Sequence, residues 1–82
     1  MTNDHEITAL SADLNNWVAT TKLPETYPQF SYSQLKHMFW KRDEKPGLNR
    51  CYRKLGKGSY VNIKLFGLWM AGELPEQKES IG

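Results

Sequence analysis

The chain has 82 residues, 39% of them hydrophobic and 24% charged, so we expect one globular domain and exclude a second. The only cysteine, Cys51, excludes an intrachain disulfide and a cysteine-based zinc cluster. The net charge is +2, the first six residues are polar with two acids, and no apolar run is long enough to span a membrane. We therefore expect a cytoplasmic protein without membrane contact.

The first predicted element is a long amphipathic helix over residues 4–19. Its helical stripe consists of Ile7, Leu10, Leu14, Trp17 and Val18. Asn3 and Glu6 are suited to cap its start. Residues 20–29 contain two prolines and predict a connector with room for one short helical turn.

The second helix has the clearest start signal. Ser31 can cap it, and Gln34 follows at the spacing of a capping box. Phe30 and Leu35 occupy the positions of a hydrophobic staple. The pattern predicts a helix from Ser31 that buries Leu35, Met38, Phe39 and the stem of Arg42 and ends in residues 43–47. A short turn is expected over residues 48–52.

A hairpin and a last helix complete the prediction. Residues 53–55 and 59–61 are short extended runs joined by Gly-Lys-Gly, a composition typical of tight turns. Asn62 caps a helix over residues 63–71, which Gly72 ends. Residues 1–74 thus form one domain, and we expect residues 75–82 to be a flexible tail. The fold class is mainly α with a small β-hairpin, in the order of a winged helix-turn-helix: three helices plus wing.

Charge is distributed unevenly along the chain. Residues 36–64 carry nine Lys or Arg against two acids, a net charge of +7, whereas residues 1–35 carry −3 and residues 65–82 carry −2. A basic block of this density predicts one positive face, for which nucleic acid is the expected partner. A merely solvated basic surface is the alternative.

Several segments resemble the excisionase-like proteins of phages and mobile elements, and the related AlpA-type prophage regulators. The segments are YPQFSYSQLKHMF at residues 27–39, GL at 47–48, RKLGKGSYVN at 53–62, and Phe66 with Trp69. The resemblance covers about residues 25–71. It implies that the helix of residues 31–41 lies in the DNA major groove and that the hairpin contacts the backbone or minor groove. Gly58 and Ser59 depart from the family, in which many relatives carry arginines there, and the first helix lies outside the motif.

The helical period then selects the candidate DNA-binding residues. With Leu35 and Phe39 inward, the groove-facing candidates are Ser33, Gln34, Lys36, His37 and Lys41. Gln34 can pair with adenine, and the lysines can contact guanine or phosphate. The residues assigned to phosphate are Arg50, Arg53, Lys54 and Lys57. Trp17, Phe39, Phe66 and Trp69 are assigned to the core. Tyr52 and Tyr60 are favoured as core residues, and Trp40 either covers the hairpin base or meets a partner.

The expected function is sequence-specific binding of double-stranded DNA, as an excisionase-like protein or a prophage transcriptional regulator. An integrase, or a second copy on DNA, is a further possible partner. No spacing typical of a catalytic site occurs, so we expect no enzyme, no cofactor and no small-molecule ligand. His5, His37 and Cys51 lack the spacing of a zinc motif, so no metal is expected. The alternative is a phage or mobile-element protein-protein interaction module without DNA binding, which uses the first helix and Trp40.

Overall fold

The computed structural model describes residues 4–79, which form a mainly helical fold with one small antiparallel sheet. The helices of this part are α1 (Asp4–Ala12), α2 (Leu23–Thr26), α3 (Tyr32–Trp40), α4 (Ile63–Met70) and α5 (Pro75–Glu79). The strands are β1 (Trp17–Ala19), β2 (Tyr52–Leu55) and β3 (Gly58–Asn62), in the sheet order β1-β3-β2. Short 3₁₀ turns lie at Leu14–Asn16, Thr20–Lys22, Arg42–Glu44 and Leu48–Cys51. The prediction of a mainly α fold with a small hairpin is confirmed.

The predicted helix over residues 4–19 is wrong beyond Ala12. Asp13 caps a 3₁₀ turn by accepting a hydrogen bond from the backbone N–H of Asn15, and the chain then pairs as β1 with β3, Val18 opposite Val61. Aromatic and β-branched residues suit this pairing better than a helix that would have to pass through two asparagines. Leu14 consequently points into solvent.

Asn16 and Asn62 hold the end of α1. Both side-chain amides donate to the carbonyl of Leu10, at 3.1 and 2.9 Å, and satisfy an acceptor that the helix end leaves open. The indole of Trp17 donates to the carbonyl of Ser11 at 2.8 Å. Trp17 is nonetheless only partly buried and lines the outer face of the sheet rather than the core, so its assignment to the core is wrong. The predicted cap at Asn3 lies outside the described residues.

Two predicted helix caps are confirmed. Ser31 Oγ accepts a hydrogen bond from the N–H of Gln34 at 3.1 Å and starts α3. Asn62 Oδ1 accepts one from the N–H of Leu65 at 3.1 Å and starts α4. Since Asn62 is fully buried and also binds Leu10, it ties α1, β3 and α4 together. These contacts fix where the sheet meets the two helices.

The hairpin turn consists of Gly56 and Lys57, since Leu55 pairs with Gly58. Gly56 has φ of 61°, and no non-glycine residue of the described chain has a positive φ. A positive φ at the first turn position alone is typical of a type II′ turn, which favours glycine there. The predicted hairpin is confirmed, with one more residue at the start of the first strand and one more at each end of the second.

The core draws its buried residues from α1 to α4, from β3, from the 3₁₀ turn at Leu48–Cys51 and from Leu74 before α5. Its buried hydrophobic members are Ile7, Leu23, Leu35, Phe39, Leu48, Cys51, Val61, Leu65, Phe66 and Leu74. Phe39 and Phe66 are core residues as predicted, and Trp69 packs against the core while donating to the carbonyl of Pro46 at 3.1 Å. Tyr60, in contrast, is exposed on the outer sheet face, so it is not a core residue.

The predicted flexible tail is wrong for residues 75–79, which form α5. Pro75 occupies the first helical position, and Gln77 Oε1 accepts a hydrogen bond from the N–H of Leu74 at 3.1 Å. Gln77 Nε2 also donates to the carbonyl of Trp69 at 2.8 Å. α5 thus closes the core over Leu74. Residues 80–82 lie outside the described part.

We expect Cys51 to be unreactive in the folded protein. Its thiol is fully buried, and burial together with the negative charge of Glu76 raises its pKa to about 12. The thiolate is the reactive form of cysteine. At pH 8, an aromatic disulfide reagent should therefore label Cys51 of the native protein only at the rate of local unfolding, whereas Cys51 of the denatured protein should be labelled at once. The absorbance of the aromatic thiolate released by the reagent measures the rate of labelling. Complete labelling of the native protein within a minute would contradict the packing of Cys51.

Candidate functional site

A groove runs between α3 and the β2–β3 hairpin. The residues that line it are Thr20, Tyr32, Lys36, Phe39, Trp40, Arg42, Tyr52, Lys54, Lys57 and Ser59. We call it the basic groove. One wall is a stripe of α3, formed by residues four positions apart, and the other wall is the hairpin. Its volume is about 330 Å³.

Aromatic packing fixes the hairpin against α3. The rings of Phe39 and Tyr52 stack with centroids 4.8 Å apart and planes 19° from parallel. The guanidinium of Arg42 lies 4.8 Å from the Tyr52 centroid and donates to the carbonyl of Phe39 at 2.8 Å. Ser59 and Thr20 are joined by a hydrogen bond of 2.9 Å at the far side of the groove. The floor of the basic groove is therefore built from the core.

Strand alternation divides the charges of β2 between two faces. Tyr52 and Lys54 face the basic groove, whereas Arg53 lies on the opposite face with Leu55. Arg53 is further held by hydrogen bonds from its Nη1 to the carbonyls of Tyr52 and Asn49, at 2.9 and 3.2 Å. The hairpin thus presents Lys54 and Lys57, but not Arg53, to the groove.

The basic groove has a strongly positive lining. It contains Lys36, Arg42, Lys54 and Lys57, and no carboxylate occurs among its described lining residues. The ion pairs found within residues 4–79 involve other cations, namely Lys22 with Glu25, Arg50 with Glu76, and Lys78 with Glu73. The three lysines of the groove therefore carry charge that no acid in the described chain neutralises at contact distance.

The outer face of α3 adjoins the groove. Ser33, Lys36, His37 and Trp40 form one patch there, and Lys36 and Trp40 belong to both surfaces. Five predicted site residues are thus brought together: Ser33, Lys36, His37, Lys54 and Lys57. Gln34 on α3 and Lys41, the residue directly after α3, are exposed but lie beyond the lining of both surfaces.

Arg50 and Arg53 are not brought to this site. Arg50 pairs with Glu76 of α5 and lines a separate cavity of mixed charge, which Arg53 and Asp43 share. Its partner lies in the segment that the sequence predicts to be a tail, so sequence reasoning could not exclude Arg50. Grouping Arg53 with Lys54, in contrast, overlooks the two-residue period of a strand.

Sequence reasoning missed three groove residues, namely Thr20, Tyr32 and the charged end of Arg42. Trp40, for which two roles remain open in the sequence, is 82% exposed and so does not cover the hairpin base. Tyr32, Lys36 and Trp40 recur at intervals of four, which is the spacing of neighbours along one helix face. This spacing could have identified the stripe in advance.

A second surface, apolar in character, lies on the outer face of the sheet. It is lined by Leu14, Trp17, Arg53, Leu55 and Tyr60. Leu14 is 82% and Leu55 67% exposed. We call it the outer sheet surface. It is separated from the basic groove by the thickness of the hairpin.

No helix of the described residues is long and apolar enough to span a membrane. Within residues 4–79, no three His, Cys, Asp or Glu side chains come together as a metal site would require. The site is thus a positively charged groove beside an exposed aromatic residue, on a mainly helical fold with a three-stranded sheet. Comparison with known proteins finds no matching family model, curated protein or solved structure.

Proposed function

We propose that this protein binds double-stranded DNA sequence-specifically, with α3 as the recognition helix and the hairpin as the wing of a winged helix-turn-helix. The observation that supports this most is the convergence of lysines from α3 and from the hairpin on one groove whose described lining has no acid. Two walls of like charge, one on a helix and one on a hairpin, suit a polyanion with a regular backbone.

The residues of the site divide into two kinds of contact. Lys36, Lys54 and Lys57 are suited to phosphates, because their flexible charged ends line the groove walls. Ser33 and His37 project from the outer face of α3 and are suited to base edges, with Gln34 beside them. An excisionase-like role or control of prophage transcription, in the cytoplasm and with an integrase or a second copy as partner, fits such a domain.

The test is the salt dependence of duplex binding. If three groove lysines neutralise three phosphates, the logarithm of the affinity should fall against the logarithm of salt with a slope of about −2.7. Affinity would then drop roughly 40-fold between 50 and 200 mM salt. Fluorescence anisotropy with a labelled duplex measures both. A slope near zero would contradict phosphate contacts by the groove.

The outer sheet surface favours a second candidate function, a protein-binding module without DNA binding. Arg53 lies among four apolar or aromatic side chains, so the partner would offer apolar side chains around a carboxylate. This candidate predicts that no duplex is retarded at low salt. It also predicts that Leu55→Glu abolishes binding of such a partner, whereas DNA binding through the basic groove predicts no effect of Leu55→Glu on the affinity for DNA.

A further inference from the structure

Trp40 is an unusually exposed aromatic residue at the edge of a positively charged groove. Its side chain is 82% exposed at the last position of α3, while Phe39 beside it is fully buried. Large apolar side chains gain free energy by burial, so this degree of exposure in the folded chain leaves Trp40 available for a ligand. Tyr32, two turns earlier on the same stripe, is also 45% exposed.

The charge around Trp40 indicates the chemistry of that ligand. Lys36 lies between Tyr32 and Trp40 on the stripe, and Lys54 and Lys57 lie across the groove. An apolar protein segment would gain little from these three lysines, whereas a nucleobase attached to a phosphate backbone would use both the aromatic surface and the charge. Aromatic side chains next to cations form stacking platforms for bases in many nucleic-acid-binding proteins.

We infer that Trp40 stacks on an unpaired or unstacked base of the DNA, and that the protein therefore prefers duplexes with a locally opened base step. This inference rests on the proposed DNA binding and adds a substrate class to it. The groove volume of about 330 Å³ is near the lower limit of ligand pockets, roughly 300 Å³, which suits a single base with its sugar. Stacking of this kind also lowers the cost of kinking a duplex.

The experiment compares two labelled probes, a fully paired duplex and the same duplex with one unpaired nucleotide at its centre. Wild-type protein should bind the second probe about 5- to 150-fold more tightly, which corresponds to the usual gain of about 1 to 3 kcal/mol for one stacked base. Trp40→Ala should bring the ratio of the two affinities to about one, whatever its effect on the paired duplex, and Trp40→Phe should retain most of the preference. Because Trp40 is exposed, all variants should fold, which circular dichroism verifies.

Leu14→Ala is the matched control, since Leu14 is also 82% exposed but lies on the outer sheet surface. It should leave the preference unchanged. A second readout is tryptophan emission: quenching by the probe with the unpaired nucleotide should be larger in wild-type protein than in Trp40→Phe. Equal affinity of wild-type protein for both probes, or a preference that survives Trp40→Ala, overturns the inference but not DNA binding. Failure to bind either probe overturns both.

Discussion

Lys54→Glu should reduce the affinity for duplex DNA by at least tenfold at 100 mM salt, whereas Arg53→Glu should reduce it by less than about threefold. The two substitutions change the net charge equally and lie next to each other in β2. Their side chains lie on opposite faces of the hairpin: Lys54 lines the basic groove, and Arg53 lies on the outer sheet surface. The comparison therefore separates local contact from total charge.

The salt dependence provides a second measure of the same difference. Lys54→Glu should lower the magnitude of the logarithmic salt slope by about one, since one phosphate contact is lost, and Arg53→Glu should leave it unchanged. Titrations of both variants at four salt concentrations, followed by anisotropy, are sufficient. Equal losses for the two variants would mean that only overall charge matters. A larger loss for Arg53→Glu would move the interface to the outer sheet surface.

Local sequence signals predicted the parts of the fold that local contacts determine. Ser31 and Asn62 cap helices through hydrogen bonds to residues three positions away, so their role is visible in a short window of sequence. The Gly56 turn is equally local. β1, in contrast, forms because residues 17–19 pair with β3 more than forty positions later. A helical stripe that continued through Leu14 could not reveal that pairing.

The parts of the candidate site that depend on the period of a single helix or strand could be predicted from the sequence. The helical period placed Ser33, Lys36 and His37 on one face of α3, as the structure does. The division between Lys54 and Arg53 follows from strand period and was available in the sequence. The position of Arg50 away from the groove could not be predicted, because it depends on the ion pair with Glu76 in α5. α5 is a short helix that is stabilised by the packing of Leu74 rather than by helix propensity.

Leu74→Ala should lower the free energy of unfolding by about 3 kcal/mol, and the midpoint of thermal unfolding by roughly 15 °C. The Leu74 side chain is fully buried at the start of α5, and its removal would leave a cavity beneath the Gly47 loop. Gly47 has φ of 85°, and an added Cβ there would lie 2.9 Å from Leu74 Cδ1, so loop and side chain are in close contact.

Urea and thermal unfolding followed by circular dichroism measure the effect of Leu74→Ala. Leu14→Ala removes the same atoms from a side chain that is 82% exposed, and should change stability by less than about 0.5 kcal/mol. Leu74→Met conserves most of the volume and should cost less than about 1.5 kcal/mol. If residues 75–79 were a tail without structural role, Leu74→Ala would behave like Leu14→Ala. A large difference between them means that Leu74 and the start of α5 belong to the folded domain.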